Sequence, residues 1–241
     1  MYSHLQESTN AKQTLVSKTN FETFAQRFNV NIKHIHSDNG VYKSKTFMDH
    51  CIAADQTQSF SGVGAHWQNG VIERYIGVIS THARTMLLHA MSLWPDHVTS
   101  EFWSFAFQHA VRVHNSAPRK GQTLSPHALF TGEDAPQRPT DFRVLFCPVY
   151  VLEKELQDNK SKPKWTDRSY QGIYVGHSPH HASNVVLVYN PATKLVSPQY
   201  HVIFDEDFTT VSSRFTDEQI ENNITNLLGN TLADATSMVS F

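Results

Sequence analysis

Two short stretches of the sequence each place a carboxylate beside an Asn-Gly pair. HSDNG, residues 36–40, contains Asp38, and HWQNGVIER, residues 66–74, contains Glu73, with thirty-four residues between the two acids. Converging carboxylates are the hard oxygen ligands that Mg²⁺ or Mn²⁺ prefers. A pair of such ions can activate a nucleophile and stabilise the leaving oxygen in phosphodiester chemistry. Asp38 and Glu73 are therefore candidate catalytic residues and metal ligands, with carboxylates expected within about 4–8 Å of each other.

Each acid also has an ordinary structural interpretation. Asp-Asn-Gly is a common turn sequence, and the helix dipole favours an acid in the first turn of a helix. Either feature alone is more often structural than functional. Their joint occurrence, one at a strand end and the other on a later helix, favours a site.

The spacing of apolar residues predicts the elements that carry the two acids. Helical spacing covers residues 10–28, and a β-favouring run over residues 30–38 places Asp38 at the end of a strand. A short helix over residues 46–54 and a strand or extended loop over residues 56–62 follow. The next helix carries an apolar stripe that we expect to pack in the core, formed by Ile72, Ile76, Ile79, Ala83, Met86 and Ala90.

Several polar residues around Glu73 are candidate contacts for nucleic acid. Gln68, Asn69 and Arg74 flank Glu73 as loop and first-turn donors that could meet a DNA backbone. Helix capping explains them equally well. Arg84 shares the angular position of Glu73 on the helix, at the edge of the apolar stripe.

The second half of the chain has a different character. A further helix over residues 100–118 precedes a Pro- and Gly-rich linker over residues 119–141. Four or five short strands over residues 142–208 predict a small antiparallel barrel, separate from the helical core. Residues 209–241 are polar and poor in aromatic residues, which indicates a weakly ordered tail with at most one helix.

The densest basic stretch of the chain lies between two of these strands. Lys160, Lys162 and Lys164 surround Trp165 and are candidate phosphate contacts. A solvated hairpin loop is equally consistent with this stretch, because four acids dilute the charge, namely Glu153, Glu155, Asp158 and Asp167.

Two groups of histidines are weaker candidates for metal ligands than Asp38 and Glu73. His34 and His36 share one strand face with Asp38, where packing or hydrogen bonding is favoured over a metal role. The HSPHH motif of residues 177–181 is better explained as an exposed loop of the barrel.

The composition bounds the class of protein. The chain has 241 residues with 15 Phe and 4 Trp, which is typical of a folded protein. It contains neither an apolar run of membrane-spanning length nor a secretory signal pattern. Cys51 and Cys147 are the only cysteines, which excludes a zinc site built from Cys pairs and disfavours a disulfide framework. We therefore expect an intracellular protein of the nucleus or cytoplasm that is neither secreted nor bound to a membrane.

The net charge of −2 hides a gradient along the chain. Residues 1–120 carry 11 Lys and Arg against 8 Asp and Glu, residues 121–208 carry 8 against 10, and residues 209–241 carry 1 against 4. A basic first half is compatible with nucleic-acid binding but indicates it only weakly.

The motifs together resemble the integrase of copia-type long-terminal-repeat retrotransposons. The resemblance rests on HSDNG, GVGAHWQNGVIER, ARTMLLHA, FCPVYVLEKELQDNKSKPKW, YQGIYVGHSPHHASNVVLVYN and SPQYHVIFDEDF, and covers about residues 1–210. It implies an α/β ribonuclease-H-like core followed by an SH3-like module. That family uses two Asp and one Glu as catalytic acids. Asp38 matches the second Asp, and Glu73 matches the Glu at nearly the family's spacing.

The resemblance also implies a first Asp on the first core strand, and Met1 aligns beyond that strand. The only acids before Asp38 are Glu7 and Glu22, and neither occupies the required place. The family's His/Cys zinc module has no counterpart either. We therefore expect an incomplete core whose first strand is missing, with reduced stability and impaired chemistry.

The sequence thus predicts an N-terminally truncated integrase, with the core in residues 1–118, a linker in 119–141, an SH3-like barrel in 142–208 and a tail in 209–241. The resemblance implies DNA integration by metal-dependent phosphodiester transfer on retroelement ends and target DNA. It is compatible with a homo-oligomer. We expect Mg²⁺ or Mn²⁺ to bind weakly if at all, and the chain alone to have little or no activity.

Two alternatives stay open at this point. The chain could be a non-catalytic module of transposon origin that binds DNA or a protein. A partner chain could instead supply the strand and the Asp that the resemblance calls for.

Overall fold

The computed structural model describes residues 1–62, 69–158 and 160–211. Within these residues the chain forms six α-helices and seven β-strands. The helices are α1 (Ala11–Gln26), α2 (Lys45–Ala53), α3 (Gly70–Leu93), α4 (Trp103–Ser116), α5 (Pro126–Thr131) and α6 (Lys154–Gln157). The strands are β1 (His34–Ser37), β2 (Thr57–Phe60), β3 (Pro148–Leu152), β4 (Ser169–His177), β5 (Val186–Asn190), β6 (Leu195–Gln199) and β7 (Val202–Phe204). None of these helices combines the length and the hydropathy of a membrane span.

The chain divides into two compact units. The first contains residues 1–78 and 117–135, and the second contains residues 79–116 and the chain from residue 136 onward. The first unit therefore holds β1, β2 and both candidate acids, whereas the second holds the strands from β3 to β7. The domain boundaries expected from the sequence stay a prediction.

Local sequence explains where the helices of the first unit begin and end. The side chain of Asn10 accepts a hydrogen bond from the backbone N–H of Gln13 at 2.9 Å and caps α1. Ser125 caps α5 in the same way through Ala128, and Gly132 ends that helix in the left-handed conformation at φ 76°. The predicted helix over residues 10–28 is confirmed within two residues at each end.

A βαβ unit carries the first candidate acid. β1 and β2 pair in parallel, with His34 opposite Thr57 and Ser37 opposite Phe60. A parallel pair requires a crossover connection, and α2 lies in the connection here. The strand and the short helix predicted over residues 30–38 and 46–54 are both confirmed, although β1 is shorter than its β-favouring run.

The second unit contains a five-stranded antiparallel sheet in the order β6-β5-β4-β3-β7. The turn NPATK joins β5 to β6, and its Asn190 side chain accepts a hydrogen bond from the N–H of Ala192 at 2.9 Å. A register shift between Tyr174 and Gly176 places a bulge in β4. The prediction of four or five short antiparallel strands is confirmed, and the closure of this sheet into a barrel stays a prediction.

The sheet packs against helical residues of its own unit. The Phe102 ring, just before α4, lies 5.5 Å from the Phe146 ring and 5.1 Å from the Tyr189 ring. His109 of α4 lies 6.1 Å from the Tyr174 ring in β4. Residues in and just before α4 thus pack on the Tyr174 and Tyr189 rings of the sheet. That the strands form a domain separate from the helical core stays a prediction.

The apolar stripe of α3 is buried along only part of the helix. Ile79, Ala83 and Ala90 are buried, whereas Ile72 is 49% exposed and Ile76 is 45% exposed. The expectation that the whole stripe packs in the core is therefore wrong for its first two residues. Spacing shows which side chains share a helix face, but it does not show how far a neighbouring element extends along that face.

Two other expectations differ in detail. The β-favouring segment that begins near residue 143 forms a strand only over Pro148–Leu152, and the following helix-forming residues build α6. The tail helix predicted near residues 217–228 lies outside the described residues, as does most of the predicted tail.

Candidate functional site

Asp38 directly follows β1 and is exposed. Its Oδ1 atom accepts a hydrogen bond from the N–H of Gly40 at 3.1 Å, which is the local turn that Asp-Asn-Gly favours. Asn39 donates from its side-chain amide to the carbonyl of Ser61 at 2.6 Å and so ties the turn to the end of β2. The turn thus holds the Asp38 carboxylate at the carboxyl end of a parallel strand, where it remains accessible.

Glu73 lies in the first turn of α3 and is exposed. Its position suits the favourable interaction of an acid with the amino end of a helix. Asp38 and Glu73 belong to the same unit. That their carboxylates share a metal ion stays a prediction.

The donor chemistry of this pair fits Mg²⁺ or Mn²⁺, but the number of ligands is small. Carboxylate oxygens are the ligands these ions prefer, and Mg²⁺ needs near-octahedral coordination. In the described part of the chain, no group of three or more His, Cys, Asp or Glu residues is arranged to hold a metal ion. Asp38 and Glu73 are the residues that would hold the ion, with water as the remaining ligands.

Glu22 cannot supply the third carboxylate, because its side chain is already engaged within the first unit. Its Oε1 atom lies 2.6 Å from Nζ of Lys18 and also accepts a hydrogen bond from the side-chain amide of Gln56. Lys18 in turn contacts Nδ1 of His50 at 3.1 Å. The Lys18 and Glu22 side chains are only 5% and 14% exposed, which identifies this network as structural.

The histidines that share the strand face with Asp38 are held by hydrogen bonds. His34 contacts the hydroxyl groups of Thr57 and Ser59 at 2.7 and 2.8 Å, and His36 contacts the Ser59 hydroxyl at 2.8 Å. These contacts confirm the hydrogen bonding that was expected for His34 and His36. The result is an exposed polar face on the two-stranded sheet that leads up to Asp38.

The candidate nucleic-acid contacts near Glu73 lie in different parts of the chain. Gln68 lies outside the described residues, and Asn69 directly precedes α3. Arg74 and Arg84 are exposed on α3, with Arg74 in the first unit and Arg84 in the second. Their role in nucleic-acid binding stays a prediction.

The three candidate lysines of the basic stretch differ in their contacts. Lys162 is 17% exposed, and its Nζ atom lies 3.7 Å from carboxylate oxygens of both Glu153 and Glu155. Lys160 is exposed, with Nζ 4.0 Å from Asp158, and Lys164 is exposed. Lys162 therefore serves the internal structure of the loop, while Lys160 and Lys164 face solvent.

A buried histidine pair in the second unit was not anticipated from the sequence. His177 ends β4 and is 4% exposed, so the expectation that the whole HSPHH motif forms an exposed loop is wrong for this residue. Its Nδ1 atom contacts the Tyr174 hydroxyl at 2.9 Å, and its carbonyl accepts a hydrogen bond from Arg112 of α4. The only sequence signal was that His177 continues the apolar run of β4.

His109 of α4 is the second member of this pair and is also 4% exposed. Burial, reinforced by the nearby His177 and Arg112, lowers the pKa of His109 to about 3. Burial and the positive charge of Arg112 also lower the pKa of His177, against the opposing effect of Asp141. Both histidines are therefore neutral in the folded protein near neutral pH.

Comparison with known proteins finds a family match for the second unit. Residues 147–217 match the family described as Retroviral polymerase SH3-like domain. No curated protein was found to be similar to the chain. The family match supports a retroelement protein, as expected for an integrase, and it falls on the part of the chain that forms the five-stranded sheet.

A solved structure gives a weaker likeness. The chain aligns with the cryo-EM structure of a simian T-cell lymphotropic virus intasome in complex with PP2A regulatory subunit B56 gamma, at 16% sequence identity and a TM-score of 0.41. The alignment covers 81% of this chain and 64% of that chain, so this chain spans less than two thirds of the length of the chain it matches.

Proposed function

We propose that this chain is part of a copia-type retroelement integrase that binds retroelement ends and target DNA but does not join DNA on its own. The observation that carries the proposal is the family match over residues 147–217. It occurs in a chain where an exposed carboxylate, Asp38, directly follows a parallel strand. A ribonuclease-H-like arrangement of the first unit is part of the proposal.

The described residues support a specific division of roles within the site. The hydrogen bond from the N–H of Gly40 to Oδ1 holds the Asp38 side chain, whose exposed carboxylate is the proposed metal ligand. Glu73 contributes a carboxylate from the first turn of α3. A divalent ion bound there would supply activation of a DNA 3′-hydroxyl and stabilisation of the leaving oxygen.

The small number of carboxylates explains the proposed lack of activity. Two carboxylates and water bind Mg²⁺ weakly, and a third carboxylate is needed to bridge two ions. Glu22 is engaged with Lys18 and Gln56, so it cannot take this role. Loss of a shared ligand costs several kcal/mol of transition-state stabilisation, which corresponds to roughly a thousandfold or more in rate.

A strand-transfer assay tests this proposal. The purified chain is incubated with Mg²⁺ or Mn²⁺, a labelled DNA end and target DNA, and joined products are separated on a gel. We expect no joined product. Joining that is abolished by Asp38→Asn or Glu73→Gln, but retained in Glu7→Gln, would show that the chain is an active enzyme.

A non-catalytic binding module is the second candidate function. It is favoured by the lack of a three-ligand metal group within residues 1–62, 69–158 and 160–211. Calorimetric titration with MnCl₂ separates the two candidates. If the chain is part of an integrase, it shows weak Mn²⁺ binding that Asp38→Asn removes. If it is a simple binding module, it binds no more Mn²⁺ than the Asp38→Asn variant does.

A further inference from the structure

The loop between α6 and β4 exposes a tryptophan at its tip. Trp165 is 91% exposed, which is the highest value among the large apolar side chains of the described residues. A Trp side chain offers a large flat apolar surface, and burying that surface is favourable. The chain alone therefore does not gain the favourable free energy of burying this ring.

The base of this loop is closed by hydrogen bonds. The N–H of Glu153, just before α6, donates to the carbonyl of Arg168, just before β4, at 2.9 Å. The N–H of Lys160 donates to the carbonyl of Glu155 at 2.8 Å. These two hydrogen bonds hold Glu153 beside Arg168 and Lys160 beside Glu155.

Lys162 reinforces the loop from inside. Its ammonium group lies 3.7 Å from both Glu153 and Glu155, and its side chain is only 17% exposed. These ion pairs engage two of the acids that would otherwise repel a negatively charged ligand. Lys162, Glu153 and Glu155 therefore stabilise the loop.

A tight turn presents the tryptophan. The carbonyl of Pro163 accepts hydrogen bonds from the N–H of Thr166 at 3.2 Å and from the Thr166 hydroxyl at 2.9 Å. Trp165 therefore occupies the third position of a four-residue turn, and Pro163 restricts the first. A ring held on such a turn loses less conformational entropy on binding than one on an open chain.

The charges beside the ring complement an anion. Nζ of Lys164 lies 5.4 Å from the centre of the Trp165 ring, and Arg168 is exposed at the base of the loop. Neither cation forms an ion pair with any residue that the structure describes. Asp167 is the one acid between them in sequence, which leaves a surplus of one positive charge over residues 164–168.

We propose that Trp165 stacks on an unpaired base of single-stranded DNA, with Lys164 and Arg168 contacting the adjacent phosphates. The bases of a duplex are already stacked and paired, whereas a single strand offers a free aromatic face beside a charged backbone. This inference deepens the proposed function and rests on it, because it names the form of DNA that this loop recognises.

Fluorescence anisotropy of the full chain with labelled oligo-dT tests the inference. Trp165→Ala should weaken binding by about fivefold to a hundredfold, because aromatic stacking contributes substantially for each base. Trp165→Phe should retain most of the affinity, since it keeps a flat ring. Trp103→Ala is the matched control, because Trp103 of α4 is also exposed, at 57%, and should have no effect.

Salt dependence separates stacking from charge. Lys164→Gln should reduce the slope of log affinity against log salt by about 0.7, the value for one phosphate contact on a single strand. Trp165→Ala should lower the affinity without changing that slope. Equal slopes for wild type and Lys164→Gln would contradict the phosphate contact.

The inference is overturned if Trp165→Ala binds oligo-dT as tightly as wild type, or if Trp165→Phe is as weak as Trp165→Ala. It is also overturned if an acidic peptide, but not oligo-dT, depends on Trp165, since the loop would then recognise a protein. A parallel titration with duplex DNA distinguishes the failure of this inference from the failure of the proposed function. Retained duplex binding leaves the proposed function standing, whereas loss of all DNA binding removes both.

Discussion

At the scale of single residues, the contacts of Glu22 give one acid of the first unit a structural role. Glu22 pairs with a nearly buried Lys18, and the same carboxylate accepts a hydrogen bond from Gln56. Glu22 therefore stabilises the fold, whereas the side chains of Asp38 and Glu73 are exposed. Position along the chain alone does not distinguish a buried, paired acid from an exposed one.

Glu22→Ala should destabilise the protein by about 3 kcal/mol, because it leaves the Lys18 ammonium buried without its carboxylate partner. Chemical denaturation followed by circular dichroism measures the change. Glu7→Ala, at an exposed acid of the same segment, should change stability by less than about 0.5 kcal/mol. Equal and small effects of both variants would show that Glu22 is not structural.

The buried pair His109 and His177 should make stability depend on pH. Their pKa values are lowered in the folded state, in the case of His109 to about 3. The unfolded chain takes up protons on these residues below about pH 6.5, whereas the folded chain takes them up only at lower pH. Their contribution to stability is therefore complete above about pH 6.5 and is lost as the pH falls, in the case of His109 toward about pH 3.

His109→Phe should flatten this acid dependence. The variant keeps a ring against Phe142 and Tyr174 and removes an Nδ1 atom that has no hydrogen-bond partner in the described structure. His109, with its pKa of about 3, contributes a slope that approaches 1.4 kcal/mol per pH unit between about pH 5.5 and pH 4. Urea unfolding at several pH values measures the slope, with exposed His82→Gln as the control. An unchanged slope in His109→Phe would contradict this explanation.

At the scale of elements, β4 and α3 each contain a glycine with a different environment. A Cβ atom on Gly172 of β4 would clash with Cγ1 of Val188 and lie 3.1 Å from the carbonyl of Tyr189. Gly77 of α3 has no atom within 4 Å of such a Cβ. The first glycine permits close packing of the sheet, whereas the second only weakens a helix.

Gly172→Ala should therefore cost about 1–3 kcal/mol through overpacking. Gly77→Ala should stabilise the protein by about 0.5–1 kcal/mol, because alanine restricts the unfolded chain in a helix position that accepts it. Thermal unfolding of the two variants should move the midpoint in opposite directions. A lower midpoint for Gly77→Ala would mean that its helix face is covered.

The existence of most elements could be predicted from the sequence, because it depends on local chemistry. Helical spacing over residues 10–28 predicts α1, and the β-favouring run over residues 30–38 predicts β1. The extent of burial could not be predicted. The exposure of Ile72 and the burial of His177 depend on neighbours that are distant in the sequence.

The candidate site could be predicted only in part for the same reason. Asp38 was expected at the end of a strand, and the structure places it there because β1 ends at Ser37. The structural use of Lys162 and the exposure of Trp165 could not be read from a stretch of alternating charges, since both depend on how the loop closes.

At the scale of the whole molecule, the proposed function requires DNA binding by a chain whose net charge is −2. Binding must then come from local groups of cations rather than from the overall charge. The surplus of three positive charges over residues 1–120 and the exposed cations beside Trp165 are the sources that the chain offers.

The most direct test of the proposed function is the affinity of the purified chain for a labelled DNA duplex, measured by anisotropy over a range of NaCl concentrations. We predict saturable binding at about 50 mM NaCl that weakens by about tenfold or more at 200 mM, as expected when several phosphate contacts release counterions. Absence of binding at low salt, or an affinity that does not change with salt, would contradict the proposal that this chain is a DNA-binding part of a retroelement integrase.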